Sequence, residues 1–396
     1  MERKNGSSER SKTILLICAA VWFLVFFYRL IIPPLLPQMV ENLQITFTQG
    51  GVALTLLLAL YAVMQFPSGL LSDQLGERSV IILGTFAFST AFFLVGYSEN
   101  YNHLLSFLAL LGLSTGTYMT PGISLITRTF REKKGWALGI NEAVGSAAAM
   151  AAPLLATGLT LLYGWRMVFY VGALPGIALG FFSWVKMGIG RDVTPVGAAL
   201  RQSLKSLTWP PVFTATFITS IFFFSWSGVL TFLPTYLFKE RLMSLPMSGV
   251  FYMFPFLGSI LVTPVLGWIS DKLYRLNIVA VMLVAAGLSL YFLLLSGFWL
   301  GTALAILVFG VCISSLWPVT TSFLVEHLPK DTVRSGIGIY RSTSLLIGSV
   351  APTFVGYMGD THSIAHAYLV IAGILIATGL SITVVFRILG AVMGSK

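Results

Sequence analysis

The sequence predicts an all-α membrane protein with twelve transmembrane helices in two pseudo-symmetric six-helix bundles. Three observations carry that expectation. Only 10% of the 396 residues are charged and 56% are hydrophobic. A soluble domain carries about 25% charged residues and needs them to cover its surface. Apolar runs of about twenty residues recur along the chain, separated by short polar gaps, and that length spans a bilayer as a helix. The second half also repeats short patterns of the first at a nearly constant offset.

The spans follow in order. The first six are Thr13–Leu36, Thr48–Leu71, Ser79–Tyr97, Asn102–Thr127, Trp136–Leu162 and Arg166–Met187. The last six are Pro211–Phe238, Leu245–Ile269, Asn277–Ser296, Trp299–Val325, Ser335–Met358 and Ile364–Leu389. The first run is too long for the apolar region of a cleavable signal, so it reads as a span. Pro33-Pro34, Pro121, Pro234, Pro255, Pro264 and Pro318 are expected to interrupt their helices, because proline lacks the N–H and clashes with the preceding turn. Gly112 and Gly116, four apart, are expected to let helices approach closely.

Net charge is +10. The excess lies in the gaps between spans, so it reads as topology and not as a nucleic-acid surface. Nineteen of the 24 basic residues fall on one side of the predicted spans, among them Arg10, Arg78, Lys133, Lys134 and Lys186. Three, Arg166, Lys239 and Arg241, fall on the other. The asymmetry places both termini in the cytoplasm, with the chain in the plasma (inner) membrane.

Gly69-Leu70-Leu71-Ser72-Asp73 recurs as Gly267-Trp268-Ile269-Ser270-Asp271, 198 residues on. Leu36-Pro37 recurs as Leu233-Pro234, and Ala152-Pro153 as Ala351-Pro352. The expected organisation is an N-terminal bundle over 1–187, a cytoplasmic linker over 188–210 and a C-terminal bundle over 211–396. Such parallel repeats are a transporter architecture.

Gly69, Asp73, Gly76 and Arg78 match the Gly-x-x-x-Asp-x-x-Gly-x-Arg signature between the second and third helices of the major facilitator superfamily, which the chain resembles over its whole length. The second copy keeps Gly267 and Asp271 but has Tyr274 where glycine is expected. The resemblance implies the major facilitator fold, a monomer, and a gating role for Gly69, Asp73, Gly76, Arg78 and Asp271, with Gly69 at the seam between halves. Within the family, Arg29, Pro37, Thr48-Gln49-Gly50, Tyr61, Gln65-x-Pro67-Ser68-Gly69 and Gly164-Trp165-Arg166 resemble the organic-anion:cation symporter branch. That branch commonly carries Asp-Arg in helix one, and this chain has Tyr28-Arg29. The Gly-Pro motif of the proton-antiporting exporters is absent from helix five, which reads Ala152-Pro153-Leu154-Leu155-Ala156.

Three charges fall inside predicted spans: Arg29, Glu142 and Arg341. Each costs about 2.5–3.5 kcal/mol on insertion scales, so such groups face a cavity or a partner. Arg29 shares a helical face with Trp22 and Phe26. A guanidinium among aromatic rings can grip a carboxylate with two parallel bonds. The competing reading is a structural arginine on backbone carbonyls. Glu142 and Arg341 hold equivalent positions in the two halves, 199 apart. A carboxyl at Glu142 could cycle a proton, or it could make a fixed contact with no proton cycling. Tyr61, Gln65, Tyr118, Trp226, Tyr252 and Trp317 are expected walls of a substrate site, though aromatic residues here also serve plain packing.

No cofactor or metal site is expected. Cys18 and Cys312 lie in apolar runs, His362 and His366 have no third ligand nearby, and no phosphate-binding Gly-Lys loop occurs. An enzyme is not expected. The partners expected are a small, anionic solute, protons and lipid, and not nucleic acid. Two transport readings remain: proton-coupled symport of an organic anion, and proton-coupled efflux of drugs or metabolites.

Overall fold

The computed structural model of the protein describes residues 2–190, 210–270, 274–327 and 333–393. Asp271 and most of the linker, 191–209, lie outside the described residues. Within them every regular element is a helix. Ten helices are long and apolar enough to cross a membrane. They are α1 (Glu9–Leu43), α2 (Phe47–Leu75), α3 (Glu77–Gly96), α4 (Tyr101–Thr129), α5 (Lys134–Tyr163), α6 (Trp165–Met187), α7 (Val212–Glu240), α9 (Arg275–Leu295), α10 (Trp299–Glu326) and α12 (Ile364–Thr383). Two more are broken into pieces: α8 (Leu245–Phe251 and Phe254–Ser270) and α11 (Val333–Gly348 and Ala351–Thr361).

The breaks have causes. Proline deprives the carbonyl four residues back of its partner. Pro255 follows the break in α8, Pro352 follows the break in α11, and Pro33-Pro34 follow a break in α1 at Ile31. The carbonyl that Pro352 orphans, Gly348, accepts a bond from the Ser227 hydroxyl at 2.7 Å. Pro234 precedes a π-helical turn, Tyr236–Glu240. Pro121 sits in the first turn of the second piece of α4, Met119–Thr129. Pro318 and Pro264, expected as interruptions, lie inside unbroken helices. The break at Pro352 was not expected.

The chain forms two compact units. One is Met1–Ile45 with Val52–Gly197; the other is Thr46–Gly51 with Ala198–Lys396. In the first, α1 packs on α5 and α3 on α6. In the second, α7 packs on α11 and α9 on α12, which are the same pairs by repeat position. The third pair shows the repeat at atomic scale. A Cβ on Gly112 of α4 would lie 2.3 Å from the Leu57 carbonyl oxygen of α2. A Cβ on Gly310 of α10 would lie 2.2 Å from the Pro255 Cα of α8. Gly310 and Pro255 stand 198 residues after Gly112 and Leu57. Backbone touches backbone at both crossings, which only glycine permits.

Apolar side chains cover the outside. Leu161, Leu162, Val185, Phe213, Val281 and Leu295 are all exposed, as lipid-facing residues are. Exposed Tyr97, Trp136, Tyr163, Tyr274 and Trp299 lie at helix ends, where aromatic rings favour the membrane interface. Buried hydroxyls such as Thr85, Ser89, Thr115 and Ser315 return a bond to their own helix four residues back.

Helix ends draw the remaining polar groups. Within the second unit, Asp360 accepts the N–H of Phe47 at 2.9 Å and of Thr48 at 2.7 Å, together with the Thr48 hydroxyl. These are orphan donors at the first turn of α2. Burial pushes the Asp360 carboxyl up, but those bonds outweigh it and hold it below its ordinary value. Glu240 does the same for α12, accepting the N–H of Ile364 at 2.6 Å and of Ala365 at 3.1 Å. Ser98 and Ser296, again 198 apart, each offer a carbonyl to an arginine: Arg166 at 2.8 Å in the first unit, and Arg241 in the second.

The glycine crossings are testable by thermal unfolding in detergent. Gly112→Ala and Gly310→Ala should each cost about 1–3 kcal/mol through overpacking. Gly139→Ala should cost nothing, since a Cβ there meets no atom within 4 Å. Equal midpoints for all three variants would contradict the crossing geometry.

Candidate functional site

In the first unit the site builds outward from α1. Arg29 is half-buried. Its guanidinium lies 3.9 Å from the Tyr61 ring centroid and 5.1 Å from that of Phe26. Its Nε donates to the Val25 carbonyl at 3.1 Å, one turn back on its own helix. Among the described residues, no carboxylate lies within ion-pair distance of it and its terminal nitrogens have no acceptor. The rings solvate the cation without neutralising it. Gln65, one turn beyond Tyr61, is 7% exposed, and its side-chain nitrogen has no partner among the described residues.

Trp22 packs edge-on to Phe26 and stacks on Tyr118, with centroids 4.8 and 5.4 Å apart. Gly145 makes room for it, since a Cβ there would sit 2.6 Å from the indole. The Tyr118 hydroxyl lies 2.8 Å from the Cys18 carbonyl and 2.9 Å from the Asn141 side-chain oxygen. One hydroxyl has one proton. With that proton on the carbonyl, the Asn141 amide satisfies the phenolic oxygen by presenting its NH₂. The structure therefore brings Trp22, Phe26, Arg29, Tyr61 and Tyr118 into one aromatic array, with Gln65 one turn from Tyr61 on α2.

On α5 the sequence singled out Glu142. It is exposed, and the polar group buried on α5 is its neighbour Asn141, 1% exposed. Consecutive residues on a helix point about 100° apart. Asn141 continues the stripe of Gly145, Ala148 and Ala152, all buried. That stripe of small residues at helical spacing was the signal that could have found it.

The signature residues also settle into particular places. Gly69 is buried, and a Cβ there would meet Thr120 of α4 at 3.3 Å, in the same unit. That contact lies within the first unit. Gly76 takes φ 87° at the start of α3, a conformation that favours glycine. Asp73 is half-buried. Arg78 points to the end of α6, with Nη1 3.5 Å from the Met187 carbonyl. Sequence reasoning missed Glu77 between them. It is 3% exposed, accepts from the Ser124 hydroxyl, and pairs with Arg128 at 3.0 Å.

In the second unit, the Arg341 guanidinium lies 4.8 Å from the Trp317 ring centroid. Trp317 stacks on Tyr340 and meets Phe223 edge-on, both at 5.7 Å. The Tyr340 hydroxyl shares a hydrogen bond with Thr321, and its ring packs with Val212, Ala215 and Leu324. A second group joins Trp226 and Tyr252 through Phe256, at 5.4 and 5.6 Å. Tyr252 is fully buried and its hydroxyl has no partner among the described residues. Each unit thus places an arginine of a predicted span, Arg29 or Arg341, over aromatic rings.

The comparisons agree with the all-helical fold. The family model described as Major Facilitator Superfamily matches residues 17–290 and 215–392. The Multidrug resistance protein MdtG of Serratia proteamaculans is 26% identical over 273 residues, and the alignment covers 66% of this chain and 66% of that one, just under two thirds. The Probable sulfoacetate transporter SauU of Cupriavidus necator is 25% identical over 408 residues, covering 94% of this chain and 93% of that one. The crystal structure of the nucleoside transporter NupG superposes with a TM-score of 0.80 over 94% of this chain and 99% of that chain, at 14% identity.

Proposed function

Because the chain belongs to the Major Facilitator Superfamily, we propose that it is a secondary active transporter that moves a small organic anion by alternating access. Arg29 is the proposed anion receptor. The observation that carries this reading is its guanidinium over Tyr61 with no carboxylate partner among the described residues. In low dielectric, an arginine without a counter-charge attracts an anion and repels a cation. Its two terminal nitrogens can hold a carboxylate or sulfonate through parallel bonds. Gln65, one turn from Tyr61 on α2, has a side-chain nitrogen without a partner among the described residues. Arg341 over Trp317 supplies the same chemistry in the second unit. Sulfoacetate, in the name of one relative, has both acid groups of this class.

Proton-coupled symport through the plasma (inner) membrane, by a monomer with both termini cytoplasmic, completes the reading. Glu142 is the proposed proton site: it is the carboxyl on α5 beside the buried Tyr118–Asn141 pair. Asp73 and Asp271, with Gly69, Gly76 and Arg78, remain the proposed gate. A second reading, proton-coupled efflux of drugs, is favoured by the MdtG relatives. It requires a site that accepts cations, which the two arginines oppose.

Two experiments divide these readings. Thermal unfolding of the purified protein should show stabilisation by small carboxylates or sulfonates, about 2.7 kcal/mol at a hundredfold excess over Kd. Arg29→Ala should abolish that response. Stabilisation by lipophilic cations alone, equal in both proteins, would transfer the assignment to efflux. In proteoliposomes, Glu142→Gln should remove the dependence of uptake on the pH gradient while leaving exchange of anion for anion. An unchanged gradient dependence sinks the coupling role.

A further inference from the structure

The end of the first unit that carries the basic loops holds a cavity of about 230 Å³, which shares only Arg78 with the proposed gate. It is lined by Glu9, Arg10, Thr13 and Ile14 of α1, Arg78 of α3, and Lys186 and Met187 of α6. Three helices thus each bring a cation to one space, against a single acid. Arg78 is the fixed member. It is part-buried and anchored at the Met187 carbonyl, where Gly188 at φ 68° ends the helix. Arg10 and Lys186 are exposed and have no carboxylate partner among the described residues.

Exposed apolar residues adjoin the lining in sequence. Val185, beside Lys186, is 76% exposed; Leu16, two residues past Ile14, is 63% exposed; Trp184 is half exposed. Such residues stand in hydrocarbon or at its edge. A cluster of cations on helices whose adjoining residues are exposed and apolar matches a molecule with an anionic head and acyl chains. Basic pockets between helices on this face of a membrane protein bind lipid headgroups.

We propose that Arg10, Arg78 and Lys186 form a binding site for the phosphodiester of an anionic phospholipid. The phosphate sits among the three cations, and the chains run along Leu16, Trp184 and Val185. The site is separate from the arginine–aromatic clusters and does not depend on which solute is carried.

The test uses the full-length protein in mild detergent, mixed with equal phosphatidylglycerol and phosphatidylcholine of matched chains, and native mass spectrometry of what stays bound. Wild type should retain phosphatidylglycerol preferentially. The R10Q/K186Q double variant should lose that preference by roughly tenfold or more, at about one favourable contact per basic residue. R10K/K186R should retain it, which separates charge from misfolding. The K133Q/K134Q variant removes two exposed cations elsewhere on the same face and should match wild type. Equal losses in R10Q/K186Q and K133Q/K134Q, or no loss in either, would overturn the site in favour of general surface attraction. Retention of soluble glycerol phosphate as strongly as lipid would also overturn it, because the chains would then contribute nothing.

Discussion

Hydrocarbon offers no hydrogen bonds, and that constraint organises the molecule. Every N–H and C=O within the bilayer must find a partner in the protein. A helix meets this demand except at its ends and at its prolines, and polar side chains collect there. Ser227 serves the carbonyl that Pro352 orphans. Asp360 and Glu240 receive the first N–H groups of α2 and α12. Arg166 and Arg241 reach the carbonyls of Ser98 and Ser296. With so few charged residues available, a charge away from these tasks carries information.

Glu77 and Arg29 show the two treatments of charge. Glu77 is buried, bonded by Ser124 and neutralised by Arg128. Breaking such a pair costs about 3–5 kcal/mol, because one charge is left uncompensated. Arg29 has aromatic rings where Glu77 has a counter-ion. The rings lower the cost of holding the cation and leave its hydrogen-bonding edge to a ligand. Arg341 repeats the arrangement over Trp317. The anion reading rests on this contrast between a neutralised charge and one that is only solvated by rings.

The fold was legible because lipid makes simple demands. Run length placed the helices, and the offset of 198 marked pairs such as Gly69 and Gly267. The same offset reappears in the contacts of Gly112 and Gly310. Proline positions were legible and their consequences were not. Pro318 stays inside its helix while Pro352 follows a break, a difference that the proline positions alone do not contain. At the site, the nearness of Phe26 to Arg29 followed from helical spacing, while that of Tyr61, on α2, did not. Nor did Asn141 and Glu77. Charge drew attention to Glu142, but the face of α5 that turns inward is set by its small residues. Glu77 acquires its role from Arg128, 51 positions away, which no local pattern reveals.

Counterflow in proteoliposomes tests the central claim most directly. Vesicles holding the purified protein would be loaded with an unlabelled carboxylate or sulfonate and diluted into a trace of the labelled anion. The account predicts transient accumulation of label inside, with no effect of loading by lipophilic cations. Accumulation of a labelled lipophilic cation, with no exchange for any organic anion, would contradict it.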